Sequence, residues 1–312
     1  MRAGLVSSIT HPSLTVVVAT YEWSQALDVV LTALWEEQDR DLDIVVADDG
    51  SGPETRAVVE GWRGRFGERL RYVWQPDEGF RLARVRNLAA LDARGDYFVF
   101  IDGDAIPRRG FLAAVRRAAL AGWFLSSKRL NLSPQLSRRV LEERLPVWRW
   151  SALEWLARAP EELFGSRGRA NRPGVLLPIR DRRRPWRKRQ PEFTPPYVSG
   201  FFIGVSRQDF ERVNGFDARF VGWGGEDQDL ANRLRGLGLR CGWPGPHATM
   251  LHLWHPTRKE TTSYLALVDE ILATARTEAV EGVRELAAEL REDQVSAKRV
   301  GASSASSDPE KA

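Results

Sequence analysis

The sequence predicts an α/β protein built on a Rossmann-like, mostly parallel sheet with helices on both faces. Three observations lead there. Short β-branched apolar runs at residues 14–19, 43–47, 70–75 and 96–101 alternate with amphipathic stretches, the pattern of strands joined by crossover helices. Acidic or polar clusters stand where three of these runs stop. The composition, 43% apolar and 28% charged over 312 residues, is that of a chain able to bury a substantial core.

The helices expected between the strands cover residues 24–37, 53–66, 81–93 and 110–122, and this first part reads as a nucleotide-binding half. From Trp123 to Pro196 the periodicity weakens into arginine-, proline- and tryptophan-rich sequence. Order resumes with a strand at 201–205, a helix at 207–213, a glycine-rich turn and a helix at 226–236. Short strands near 239–242 and 249–253 are expected to complete the sheet. Apolar spacing at Leu267, Ile271, Val283, Leu286 and Leu290 predicts helix that packs back onto the body. The tail from Val295, rich in Ser, Ala and charge, reads as disordered.

No apolar run reaches membrane-spanning length and Met1 to Pro12 lacks the pattern of a signal peptide, so the expected site of action is cytoplasmic. The single cysteine, Cys241, excludes an internal disulfide framework and a thiolate zinc cluster. Any metal must therefore be held by oxygen or imidazole.

Thr20-Tyr21, Asp48-Asp49-Gly50-Ser51 and Asp102-Gly103-Asp104 follow the first, second and fourth strands. Ligands of an open parallel sheet bind beyond the carboxyl ends of its strands, so the three clusters should meet in one crevice. Asp-Asp-Gly alone is commonly a turn. Asp102-Gly103-Asp104 is sharper, because it presents two carboxylates one residue apart after an apolar strand. Hard divalent cations such as Mn²⁺ or Mg²⁺ take carboxylate oxygen and share their shell with substrate phosphates. Gly103 would let a diphosphate approach the backbone.

These segments, Val16 to Tyr21, Val46 to Ser51, Gly79 through Arg86-Asn87 and Asp102 to Asp104, resemble the family-2 glycosyltransferases. The resemblance implies a GT-A fold, inversion at the transferred sugar and a nucleotide-sugar donor. It places Thr20 and Asp49 on the nucleoside with Tyr21 beside them, Asp102 on the ribose or metal, and Asp104 on the metal. Arg86 would lie at the donor, although the Arg86-Asn87 pair stands farther from Gly79 than the commonest family spacing.

A second stretch, Val198 to Gly204, Asn214 to Asp217 and Phe220-Val221-Gly222-Trp223-Gly224-Gly225-Glu226-Asp227-Gln228-Asp229, is similar to galactosyltransferases and N-acetylgalactosaminyltransferases. There the Trp-Gly-Gly-Glu-Asp motif lies beside donor sugar and acceptor. The residues make the same sense physically. Gly224 and Gly225 permit close backbone approach, Trp223 offers a flat apolar face for a sugar ring, and Glu226 and Asp227 open a helix. Acidic residues there also suit the helix dipole. An inverting transferase needs a general base for the acceptor hydroxyl; the motif gives that role to Asp227, with Glu226 as acceptor-binding neighbour and fallback base. By the same resemblance a histidine from His252-Leu253-Trp254-His255 completes the metal shell, and the residues that follow make His255 the better match.

The expected division is a nucleotide-sugar-binding half at 1–122, a basic insert at 123–196, a galactosyltransferase-like acceptor and catalytic segment with its helix at 197–292, and a tail at 293–312. Residues 146–189 admit an anionic acceptor or membrane-surface patch with Trp148, Trp150 and Trp186 at the interface, a lid over the donor, or a solvated loop. The implied donors are UDP-hexoses or UDP-N-acetylhexosamines, and the acceptor a glycan, lipid-linked or otherwise. Nucleic acid is not expected. A nucleotidyltransferase would also set metal-binding carboxylates on an α/β sheet but would leave Trp223 to Asp227 unexplained. A catalytically silent carbohydrate-binding protein is the non-enzymatic alternative.

Overall fold

The computed structural model describes residues 12–39, 41–160, 162, 198, 200–256, 267, 270, 274 and 276–292. The strands are β1 (Leu14–Thr20), β2 (Leu42–Asp48), β3 (Leu70–Trp74), β4 (Tyr97–Asp102), β5 (Ala105–Ile106), β6 (Trp123–Ser126), β7 (Arg129–Asn131), β8 (Phe202–Ser206), β9 (Arg240–Gly242) and β10 (Met250–His252). The helices are α1 (Ser24–Glu36), α2 (Pro53–Phe66), α3 (Leu82–Asp92), α4 (Phe111–Ala118), α5 (Pro134–Glu142), α6 (Ala152–Arg158), α7 (Arg207–Arg212) and α8 (Glu226–Gly236).

Seven strands form the main sheet in the order β3-β2-β1-β4-β8-β6-β9, and β5-β10-β7 form a second, smaller one. The first four strands are parallel, as crossover helices require. β8 runs antiparallel to both β4 and β6, which turns its amino end toward the carboxyl ends of its neighbours.

Continuous apolar strands are buried on both faces, and alternate side chains feed two cores. Val16, Val18, Ile44, Val46, Val99 and Ile101 pack with α1, α2 and α4. Val17, Val45, Ala47, Phe98 and Phe100 pack with α3, α7 and α8. Each such side chain contributes about 1.5–3 kcal/mol relative to exposure. Ala279, Val283 and Leu286, from the segment expected to fold back, are buried, and residues 283–292 are helical.

The stretch from Trp123 departs from the reading given for it. Residues 123–126 enter the main sheet as β6, and β7, α5 and α6 follow. Trp148 and Trp150 are not at an interface: both are buried, Trp150 meets Trp155 edge to face, and the Trp148 indole N–H donates to Glu36 at 2.8 Å. Three tryptophans close together fill more volume than a short segment could otherwise bury, so apolar packing decides their position. Trp186 and the arginine run around it lie outside the described residues, as does the tail. Among the described residues no helix is long and apolar enough to cross a membrane.

Candidate active site

The registers bring the acidic clusters to one edge. Thr20 pairs with Asp48, Ala19 with Asp102, Asp48 with Trp74, and Ile101 with Phe202. Thr20, Asp49, Gln75, Asp102 and Gly200 therefore stand along the same rim, the place where an open sheet binds its ligands.

On the β1–β3 side the carboxylates already have donors. Asp48 accepts the Ser51 N–H at 2.8 Å and the Tyr72 hydroxyl at 2.6 Å. Asp49 accepts the Gln75 amide at 2.6 Å and the Arg81 N–H at 2.8 Å. Burial raises the Asp49 carboxyl, and those two donors favour its charged form. Tyr21, half exposed above them, donates to Asp77 at 3.0 Å. Gly50 takes a positive φ of 101° and its Cα faces the Asp77 backbone so closely that a Cβ would lie 2.6 Å from it. The Asp-Asp-Gly turn is thus held in place, with both Asp49 carboxylate oxygens turned to protein donors.

Asp102 ends β4 and binds Arg86, whose guanidinium also donates to the Gly200 carbonyl at 3.0 Å and approaches Glu226 at 3.5 Å. Arg86 is 1% exposed. Arg86 lies beneath the carboxylates and fixes them, which differs from a residue extended to the donor. Gly103 is needed for a reason the sequence did not suggest. A Cβ there would sit 2.9 Å from the Ala19 carbonyl, whose oxygen accepts the Gly103 N–H at 2.7 Å. The chain's own first strand therefore requires the glycine.

One residue further, the second sheet sets the metal-ligating chemistry. β10 pairs with β5 so that His252 faces Ala105, and the Leu253 N–H donates to the Asp104 carbonyl at 3.0 Å. That register brings the His252 and His255 Nε2 atoms to 3.6 Å and 3.4 Å from Asp104 Oδ2. One ligand atom from each of the three residues lies within 4.8 Å of the others. Burial, then the charge of Arg129, then His255 push His252 down to about 3, so its ring is neutral at physiological pH. A neutral imidazole is the form that ligates metal. Trp23 packs edge to face on His255, with ring centroids 6.0 Å apart.

The glycine-rich turn leads into α8, which begins at Glu226 as expected. Gly222, Gly224 and Gly225 all have positive φ, and Trp223 between them is 38% exposed. The Gly222 N–H donates to the Phe80 carbonyl, tying this loop to the donor half. Asp227 lies against Gly200: a Cβ at Gly200 would be 3.1 Å from Asp227 Oδ2. The Gln228 N–H donates to Asp227 at 2.7 Å. Burial raises both Glu226 and Asp227, and the mutual repulsion of the two carboxylates raises Glu226 further. Glu226 Oε2 is buried and meets no hydrogen-bond donor among the described residues.

Arg86 thus brings Asp102, Gly200 and Glu226 together, Asp227 packs on Gly200, and the second sheet gathers Asp104, His252 and His255. Gly200 and Gln75 were not singled out as functional from sequence; the quoted Val198 to Gly204 segment held the signal for the first, and nothing local marked the second.

Comparison with known proteins follows the same two-part division. The model of the glycosyl transferase family 2 matches residues 15–124, and that described as the N-terminal domain of galactosyltransferase matches residues 188–256. A validoxylamine A glucosyltransferase of Streptomyces hygroscopicus subsp. jinggangensis is 31% identical over 73% of this chain and 52% of its own. Chondroitin synthase of Escherichia coli is 25% identical over 79% of this chain and 35% of its own. The chain spans about half or less of the length of these relatives. A beta-1,4-galactosyltransferase 2 of Cricetulus griseus is 43% identical over 17% of this chain and 15% of its own. Among solved structures, the fold is similar to a mannosyltransferase of Pyrobaculum calidifontis in complex with GDP-Man and Mn²⁺, with a TM-score of 0.51 and 20% identity over 82% of this chain and 61% of that one. It is also similar to GalNAc-T7 with UDP, GalNAc and Mn²⁺, with a TM-score of 0.55 and 14% identity over 83% of this chain and 48% of that one. With both motifs in place on this sheet, the chain belongs to family 2 of the glycosyltransferases, a GT-A fold carrying a galactosyltransferase-type segment in its second half.

Proposed function

We propose that the protein is an inverting, metal-dependent glycosyltransferase that moves a hexose or N-acetylhexosamine from a nucleotide diphosphate, UDP above all, to a hydroxyl of a glycan or similar acceptor. The observation that carries this reading is the placement of Asp104, His252 and His255 on the same rim as Asp227. One carboxylate and two imidazoles suit a divalent cation, and the imidazoles favour Mn²⁺ over Mg²⁺. Bound there, the metal would offset the negative charge that develops on the departing diphosphate.

The other tasks fall to side chains. Asp49 and Tyr21 receive the nucleoside, with Thr20 at the strand end. Asp102, fixed by Arg86, faces the ribose. Trp223 lies along the sugar or acceptor ring, and Gly224 and Gly225 let it approach the backbone. Asp227 accepts the proton of the acceptor hydroxyl while that oxygen bonds to the anomeric carbon and the bond from that carbon to phosphate breaks. A single displacement from the opposite face inverts configuration. A raised carboxyl is suited to a general base, since its affinity for a proton is closer to neutrality. Glu226 binds the acceptor and is the fallback base. Release of the metal-bound nucleotide is the slow step in this scheme, which product inhibition would reveal.

The cytoplasm is the proposed site of action. Contact with an anionic membrane now rests on residues 180–189 alone, and sedimentation with anionic liposomes tests it. For the activity itself, a panel of nucleotide-sugars is incubated with Mn²⁺, with Mg²⁺ and with chelator, and nucleotide release is followed. Metal-dependent release from one donor is expected. No release from any donor, together with no metal-dependent binding of UDP or GDP, would put the silent binding protein first.

A further inference from the structure

We propose that Gln75 and Arg84 are positioning residues for the nucleoside carboxylate Asp49, and that through them the hold on Asp49 depends on the docking of the helix of residues 283–292. The contacts run in one line. Glu289 of that helix accepts from the Arg84 guanidinium at 2.5 Å, Arg84 Nη1 donates to Gln75 Oε1 at 3.0 Å, and Gln75 Nε2 donates to Asp49 Oδ1 at 2.6 Å. Helical spacing accounts for one end. Val283 and Leu286 are buried and Glu289 follows at the same interval of three, so the face that packs the helix onto the body also presents Glu289. Val283 joins the core that holds Ala83 and Val85 of α3, the two neighbours of Arg84. Strand register accounts for the other end. Asp48 pairs with Trp74 across β2 and β3, which sets Gln75 beside Asp49.

Chemistry fixes the direction of the line. A guanidinium only donates and an ionised carboxylate only accepts, so the amide between them has one satisfied orientation, oxygen to Arg84 and nitrogen to Asp49. Reversing it would set oxygen against oxygen at Asp49 and donor against donor at Arg84. Gln75 is 1% exposed, so leaving either end unmet is costly. The Arg84 contact therefore decides how Gln75 is turned, and Gln75 in turn favours Asp49 as an acceptor. Burial raises the Asp49 carboxyl; the Arg81 N–H, the Gln75 amide and the Arg81 charge oppose that rise, and the charge of Asp77 adds to it. Each oxygen of the ionised carboxylate keeps a lone pair beyond these bonds, open to an N–H or O–H of the nucleoside. The proposal rests on the placement of the nucleoside at Asp49 given above, whereas the contacts themselves do not.

The test follows the Asp49 carboxyl by NMR of the full chain with carboxyl-labelled aspartate, using Asp49→Asn to assign the signal, and measures UDP binding with Mn²⁺ by calorimetry. The other titratable and charged groups around this turn, Tyr21, Asp48, Tyr72, Asp77 and Arg81, are the same in every variant. Gln75→Leu is expected to raise the titration midpoint of Asp49 by about one pH unit, and Arg84→Leu and Glu289→Gln to raise it by less, in that order. Arg84→Lys, which keeps a charged donor, should stay near the wild type. UDP should bind Gln75→Leu and Arg84→Leu about 3- to 10-fold more weakly, with thermal melting to verify folding. Glu289 is exposed on its helix, so Glu289→Gln and Arg84→Leu keep the test decisive should Gln75→Leu not fold. A midpoint unmoved in Arg84→Leu and Glu289→Gln overturns the proposal whatever Gln75→Leu shows, and so does wild-type UDP affinity in every variant. Absence of metal-dependent UDP binding in the wild type would instead count against the transferase reading, and the midpoints would still decide whether the helix holds Asp49.

Discussion

The rim has two regions that treat their carboxylates differently. On the β1–β3 side Asp48 and Asp49 are each met by two donors from the protein. On the side made by β4, α8 and the small sheet, Glu226 and Asp227 are raised by burial, and Asp104 faces two imidazoles. The first region is satisfied before any ligand arrives, and its carboxylates act as fixed acceptors. The second holds negative charge that is fully stabilised only when a cation or a proton joins it. Satisfied and unsatisfied carboxylates thus occupy neighbouring stretches of one sheet edge, and within the second Arg86 ties Asp102, Gly200 and Glu226 together.

That comparison breaks most sharply at Arg86 itself. Arg86→Leu removes the cation between Asp102 and Glu226 and leaves buried charge unpaired, at a cost of about 3–5 kcal/mol. Denaturant melts would show it, and a loss under about 1 kcal/mol would mean that Arg86 does not hold the carboxylates of the second region together. Gly103→Ala comes next. The added methyl must displace the Ala19 carbonyl, costing about 1–3 kcal/mol, and under the proposed function it should weaken donor binding, because Thr20 and Asp102 end the two strands it pushes apart.

Glu226→Gln probes the poised region by pH. The folded-state carboxyl binds its proton more tightly than the unfolded one, so its contribution to stability is complete at low pH and is lost as pH rises through the raised value. The glutamine variant should therefore gain on the wild type in melting temperature as pH climbs from the ordinary carboxylate range toward neutrality. A constant difference across that window would show that burial does not strain this charge. The smallest effect is expected at Trp223→Ala, where an exposed ring is lost. Stability should hold while the acceptor KM rises about 3- to 10-fold, with the KM for donor unchanged.

Much of this edge was legible in the sequence because it is local. Apolar runs set β1 to β4, the clusters that end them mark the rim, and α8 begins at Glu226 and ends at Gly236 as its spacing predicts. The partners of Arg86 were not legible, since Asp102 and Glu226 lie 16 and 140 residues away and no periodicity links them. Nor was the antiparallel sense of β8, on which Gly200 depends, because strand direction is a property of the sheet and not of the strand. Trp148 and Trp150 read as surface in a basic context, and only their packing shows them to be core. Gln75 read as the last residue of a strand; its contact with Asp49 comes from the parallel pairing of β2 with β3.

The division between binding and chemistry is tested most directly by comparing Asp104→Ala with Asp227→Asn for Mn²⁺-dependent UDP binding and for sugar transfer. The expected result is that Asp104→Ala loses the metal dependence of UDP binding and its activity, while Asp227→Asn binds UDP as the wild type does and loses about 10²- to 10⁴-fold in kcat. Wild-type turnover in Asp227→Asn, or metal-dependent UDP binding that survives in Asp104→Ala, would contradict it.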